Sequence, residues 1–379
     1  DHLLPYYNVH RTLFTSFNSL LDPRNDKSRY PAALERLRKY TGSARGYEPL
    51  TVLAEQQTAS RMKVEGLVGP YRGELEADLD SAPRLVAGIE GLFRDSGLQD
   101  WEGEFELLKQ QLADYSQWVE KELLPRASES NLLPEAVYAN NLSNFGVKLP
   151  PAELITRGQS NYQLIRSEMK ALAWHIASQR GWKDKDLVSV IHAMKREQVP
   201  RDKLLGLYQQ RLGEVEDIIR REGLVTLPER SASIRLATEA ESAAIPASFM
   251  SPPQLINNTG QYGEFVLVTS NPALAGEEAQ MDDWSHDAMT WALTVHEARP
   301  GHELQFARLV DDGTSQAMAI FSFNSANVEG WGLYAESIMH EYLPIEGHLF
   351  KLYTRLIRAA RKFLDPNVNT GQISHEEVV

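Results

Sequence analysis

The segment His296-Glu297-Ala298-Arg299-Pro300-Gly301-His302 places two imidazoles and a carboxylate within seven residues. Such side chains can hold a divalent ion and carry a proton beside it. A hydrolytic zinc site needs three protein ligands, an open fourth position and a carboxylate next to the attacking water. The familiar arrangement sets two histidines four residues apart on one helix, with a glutamate after the first and a third ligand from a later helix. His296 and Glu297 supply the first half of that pattern. His302, however, follows His296 by six residues. On a regular helix that spacing is about 600°, so the two rings would point roughly 120° apart. Pro300 cannot donate to the carbonyl of His296, and Gly301 opens backbone angles closed to other residues. A distorted or bulged turn is therefore expected to bring His302 back toward His296.

The third ligand is expected from the helix Asn327-Val328-Glu329-Gly330-Trp331-Gly332-Leu333-Tyr334-Ala335-Glu336. Val328, Trp331, Ala335, Ile338 and Tyr342 form an apolar stripe, and Glu329, Glu336 and His340 form another stripe beside it. Glu329 is the expected ligand, although Glu336 or His340 shares its face and could replace it. Otherwise Glu336 suits a role orienting a ligating histidine. Glu297 is the expected general base, passing a proton from water to the leaving amine. Tyr334 is a candidate hydrogen-bond donor to an oxyanion. Arg355, Arg358 and Arg361 fit a solvated helix face better than a subsite for a substrate carboxylate.

The elements that must position these groups read mostly as helix. Phe105, Leu108, Leu112, Tyr115 and Val119 recur at helical spacing, as do Tyr162, Ile165, Met169, Leu172 and Ile176 before Gly181. Leu204, Tyr208, Leu212, Val215 and Ile219 form a third stripe, closed by Gly223. Each should bury one face against other helices. Residues 225–283 are richer in Pro, Ser, Asn and Gly, and Gly263–Thr269 is the best strand candidate there. A second helical block begins near Ser285, a candidate N-cap. The expected organisation is a helical lobe over 1–224, then a small sheet with a metal-site helical lobe over 225–379. The two form one continuous catalytic unit. The strand at Phe265–Thr269 could offer its edge to an extended peptide.

Composition narrows the chemistry further. The 379 residues contain no cysteine, which removes disulfides, thiolate metal sites and cysteine nucleophiles. A formal net charge of −13 argues against a general nucleic-acid binder. No apolar run approaches the ~20 residues of a membrane helix. Asp1-His2-Leu3-Leu4-Pro5 has no basic segment followed by an apolar one, so no signal peptide is expected in this stretch. Neither a Gly-rich phosphate loop with lysine nor a Gly-x-Gly-x-x-Gly motif after a strand is present.

The two central motifs, with Leu304-Gln305 between them, resemble the bacterial family called the domain of unknown function 885, which is grouped with gluzincin-like metallopeptidases. Softer matches are Pro246-Ala247-Ser248-Phe249 with Pro252-Pro253, and the segment Arg358 to Asp365. The resemblance implies a mainly α, multi-helix zinc-peptidase-like fold with a small β-sheet beside the active-site helices. It implies Zn2+ as cofactor, peptides or peptide-like amides as substrates, and a location outside the cytoplasm. Members often carry a histidine soon after the residue matching Asp365. Asn367-Val368-Asn369 has none there. Members also extend further at both ends, so this chain is expected to be a piece of a longer protein. Two other readings use the same residues: a metal-dependent amidohydrolase on a non-peptide amide, and a catalytically silent metal-binding protein.

Overall fold

A computed structural model describes residues 2–271, 283–374 and 376–378. The helices in chain order begin with α1 (Val9–Leu20), α2 (Pro31–Tyr40), α3 (Leu50–Arg61), α4 (Arg72–Ser96), α5 (Glu102–Trp118) and α6 (Glu135–Asn144). Next come α7 (Pro151–Gln179), α8 (Leu187–Lys195), α9 (Arg201–Glu222) and α10 (Glu239–Ala244). The last are α11 (Asp287–Leu293), α12 (His302–Asp311), α13 (Gln316–Phe321), α14 (Ser325–Ile338) and α15 (Ile345–Asn369). The strands are β1 (Ser233–Leu236), β2 (Phe249–Ser251) and β3 (Glu264–Leu267). The architecture is mainly helical with one small sheet, as the sequence leads one to expect.

The chain forms two compact units. The first contains Asp1–Val137 and Thr238–Pro246. Its core joins Leu13 and Phe17 of α1, Leu85, Ile89 and Phe93 of α4, and Phe105, Leu108 and Leu112 of α5, all buried. Phe93 packs edge-on to Phe17 at 5.0 Å between ring centroids and stacks on Trp101 at 5.5 Å. The short α10 is held by a capping box, in which Thr238 and Glu241 satisfy each other's backbone N–H groups.

The second unit contains Tyr138–Ala237, Ala247–Asn271 and the described residues from 283 onward. The expected boundary at 224/225 is thus a change of texture inside this unit, and the division falls instead within α6. The reason is packing. Ile165, Met169, Ala173 and Ile176 of α7 bury their stripe against Leu349, Phe350 and Leu352 of α15 and Met289 and Ala292 of α11. Leu204, Tyr208 and Leu212 of α9 cover Ile234, Phe265 and Leu267 of the sheet. Helices N-terminal to Leu224 therefore build the scaffold under the motif. As expected, Gly223 ends α9 in a left-handed conformation with φ 63°, which glycine adopts without steric cost.

The sheet order is β1-β3-β2, with β1 parallel and β2 antiparallel to β3. This corrects one expectation. β3 is the central strand and is paired on both sides, so it has no edge to offer a peptide. β2 is an edge strand. The expected cap is also displaced by one residue, because α11 is preceded by His286 and no side chain caps it.

Candidate metal centre

Helix α11 does not run on regularly into the motif. It passes into a single turn of π-helix over Thr294–Ala298. Arg299 then turns extended, at φ −127° and ψ 137°, the conformation that a following proline favours. α12 begins afresh at His302. The expected distortion is thus a π turn, an extended Arg-Pro step and a new helix. Gly301 is required by close approach. A Cβ there would lie 1.9 Å from the carbonyl oxygen of His296 and 2.4 Å from that of Val295. The whole stretch from Ala288 to Leu304 is buried. The result brings the rings of His296 and His302 to 4.7 Å between centroids, nearly perpendicular at 85°.

α14 brings the carboxylates. Asn324 caps it by accepting the N–H of Asn327. Trp331 pins it to the motif, its indole Nε1 donating to the carbonyls of Pro300 and Gly301 at 3.0 Å each. Gly332 faces the His296 ring. A Cβ at that position would stand 2.6 Å from the ring's Cε1 atom, so only glycine lets the imidazole lie against this helix. Glu329 and Glu336 flank Gly332 on the same face. His296 Nε2 is 3.5 Å and His302 Nε2 3.9 Å from the Glu329 carboxylate. One ligand atom from each of these three residues lies within 4.8 Å of the other two.

The remaining ring nitrogens are occupied. His296 Nδ1 meets Glu336 Oε1 at 2.8 Å, and His302 Nδ1 lies 3.4 Å from Gln305 Oε1. With both Nδ1 atoms turned to acceptors, both Nε2 atoms are turned toward Glu329, where one ion could sit, which is how outer carboxylates set the tautomer of ligating histidines. The donor set therefore fits a divalent metal of the zinc type. The side chain of Glu329 is half exposed, which leaves one side of the site open.

The groups perturb one another strongly. Burial presses His296 down, but its hydrogen bonds to Glu329 and Glu336 outweigh this and raise its pKa to about 9. Burial lowers His302, with the His296 charge acting the same way. The hydrogen bond to His296 holds Glu329 below the usual carboxylate range against its own burial. Burial pushes Glu297 up to about 7, against the opposing charge of His296. The backbone N–H of Met250 on β2 acts in the opposite sense to burial, favouring the carboxylate. A carboxyl beside the attacking water can take its proton and return it.

Beneath the turn lies an ion network. Arg299, completely buried, donates to Glu303 at 2.9 Å, to Glu216 of α9, and to the carbonyl of Arg230 at 2.9 Å. Arg230 pairs with Glu303 at 2.6 Å, and Arg220 with Glu216 at 2.8 Å. Charges taken out of water this far are tolerated only when paired and hydrogen-bonded.

The structure thus brings together His296, Glu297, His302, Glu329 and Glu336. It does not bring Tyr334 or His340 to them. Tyr334 lies five residues after Glu329, roughly 140° round the helix, and its exposed ring stands 5.9 Å from that of Trp331. No described hydrogen bond joins it to the site. α14 ends at Ile338, so His340 leaves the helix face on which it was expected and enters a 3-10 turn, His340–Tyr342. Arg358 corrects another expectation. It is no solvated arginine, because its guanidinium contacts Glu336 at 3.2 Å and both ring nitrogens of His296 at 3.4 Å. Met250 and Glu216 carry no local signal in the sequence, and Gly332 stands in the helix motif without an assigned role. Their roles arise only where separate segments meet.

Comparison with known proteins agrees on the fold. A candidate lipoprotein of unknown function from Shewanella oneidensis superposes with a TM-score of 0.64 at 16% identity. The match covers 97% of this chain and 68% of that one. A candidate lipoprotein from Colwellia psychrerythraea gives 0.69 at 17% identity, covering 95% and 64%. This chain therefore spans about two thirds of the length of each. No curated protein matches it. The profile of a family described as bacterial protein of unknown function, DUF885, matches residues 4–379. The chain belongs to that family.

Proposed function

We propose that this protein is a zinc-dependent hydrolase of peptide bonds, of the gluzincin type. The observation that carries this reading is the convergence of His296, His302 and Glu329 within 4.8 Å, with the buried Glu297 beside them. Zinc bound there would supply Lewis acidity, easing ionisation of a water and polarising the scissile carbonyl. Glu297 takes the proton of the attacking water and returns it to the leaving amine as the carbon–nitrogen bond breaks. Glu336 holds His296 in the tautomer that frees Nε2. Arg358, whose guanidinium lies 3.4 Å from the His296 ring, would stabilise the charge that develops on the carbonyl oxygen. β2, the edge strand whose Met250 reaches Glu297, is the surface along which an extended peptide would pair.

The solved relatives are described as candidate lipoproteins, which supports a place outside the cytoplasm. Among the described residues no helix is long and apolar enough to cross a membrane.

The test joins metal content with a substrate panel of peptides and non-peptide amides. Bound zinc is counted by mass spectrometry in the parent, His302→Ala and Glu297→Gln proteins. The expected result is zinc in the parent, its loss in His302→Ala, and its retention in Glu297→Gln with hydrolysis reduced ~10²–10⁴-fold. Hydrolysis of non-peptide amides alone would replace peptidase by amidohydrolase. Zinc without hydrolysis of any kind would leave a silent metal-binding protein.

A further inference from the structure

A second convergence lies in the same unit, away from the motif. Glu168 on α7, His340 in the 3-10 turn after α14, and His348 on α15 come together although the first is far from the others in sequence. His348 Nε2 is 3.2 Å and His340 Nε2 4.0 Å from the same oxygen, Oε1 of Glu168. The two rings stand 3.9 Å apart at 74°. One ligand atom from each residue lies within 4.8 Å of the other two.

The geometry points to a second metal site, at which Glu168, His340 and His348 bind a borderline transition ion such as Zn2+ or Co2+. Two features distinguish it from an ordinary surface ion pair. A single histidine satisfies a carboxylate, whereas here two imidazoles turn the same ring nitrogen toward one oxygen. The far side of His340 is also held. Its Nδ1 is contacted by Lys351, which is buried to 1% exposure. That contact fixes the ring plane, and metal binding at Nε2 requires Lys351, as a neutral amine, to accept the hydrogen bond of the Nδ1 proton. Two imidazoles and one carboxylate suit zinc, cobalt, nickel or copper, and are poor ligands for the oxygen-seeking Mg2+ and Ca2+. All three residues are partly exposed, so water can complete the coordination. An ion there ties α7 and α15, the longest helices of the unit, to the turn that ends α14. Its role is that of a staple, and it does not rest on the peptidase reading.

The experiment counts Zn2+ per chain after dialysis and follows Co2+ binding by its visible spectrum. It compares the parent, His296→Ala/His302→Ala and Glu168→Gln/His348→Gln. Two ions in the parent and one in each pair are expected, with a lower Tm on chelation even in His296→Ala/His302→Ala. One ion in the parent, retained by Glu168→Gln/His348→Gln, overturns the second site. So does a second ion that saturates only above about 100 µM Co2+. An ion lost from Glu168→Gln/His348→Gln but kept by His296→Ala/His302→Ala upholds the second site and removes the zinc from the first. No metal in the parent, even after supply, overturns both. If the second pair fails to fold, Glu168→Gln alone carries the test, because Glu168 is exposed and not part of the core.

Discussion

Replacing Gly332 by alanine tests whether the His296 ring belongs where the structure puts it. The added Cβ would stand 2.6 Å from Cε1, 2.9 Å from Nδ1 and 3.0 Å from Nε2 of that ring. Carbon atoms settle near 3.5–4.0 Å, so the ring must retreat by about 0.9 Å or more. A metal–nitrogen bond tolerates ~0.2 Å. The ring cannot yield freely, because Nδ1 is bound to Glu336 at 2.8 Å and α14 is pinned by Trp331. His296 should therefore be lost as a ligand, weakening zinc by at least ~100-fold, the upper end of what an outer-shell change costs. Stability gives an independent reading. Alanine gains up to ~1 kcal/mol over glycine inside a helix. Gly330→Ala, whose Cβ would meet nothing within 4 Å, should show that gain and leave zinc binding unchanged. Gly332→Ala should lose the gain to the clash. Affinity is measured by competition with a chromophoric chelator, and stability by urea denaturation. Zinc binding at parental strength in Gly332→Ala would refute the placement of His296, and with it the ligand set.

Two further outcomes follow from buried charge. Arg299→Leu removes the cation shared by Glu216 and Glu303 and should cost ~3–5 kcal/mol in chemical denaturation; a loss below about 1 kcal/mol would mean that the network does not hold the turn. Burial lowers His10 in the first unit and His286 in the second from 6.5 to about 4, so between those values the unfolded chain binds the extra proton. Stability should then be full above about pH 6.5 and fall as pH drops toward 4, by ~3 kcal/mol per histidine at about 1.4 kcal/mol per pH unit. His286 packs on Phe350 at 4.3 Å between ring centroids, and His286→Leu should flatten its share of that pH dependence; an unchanged slope would contradict it.

Much of this molecule is legible in its order of residues. The apolar stripes of α5, α7 and α9 announce helices, because a period near 3.6 has one cheap way to be buried. His296, Glu297, His302 and Glu329 stand out by type and spacing. Pro300 and Gly301 signal a break, since a missing N–H and a missing Cβ act within a few residues. What tertiary structure alone decided is where separate segments meet. The π turn has no sequence code of its own, yet it determines how six residues of spacing bring two rings together. His340 shares a helical face with Glu336 only if the helix continues, and it stops at Ile338. Glu216, Gly332 and Met250 matter because α9, α14 and β2 approach the motif from distant parts of the chain. The same holds for Glu168, which meets His348 across 180 residues of sequence. Local chemistry and periodicity are written in neighbours; packing joins residues whose proximity no local rule encodes.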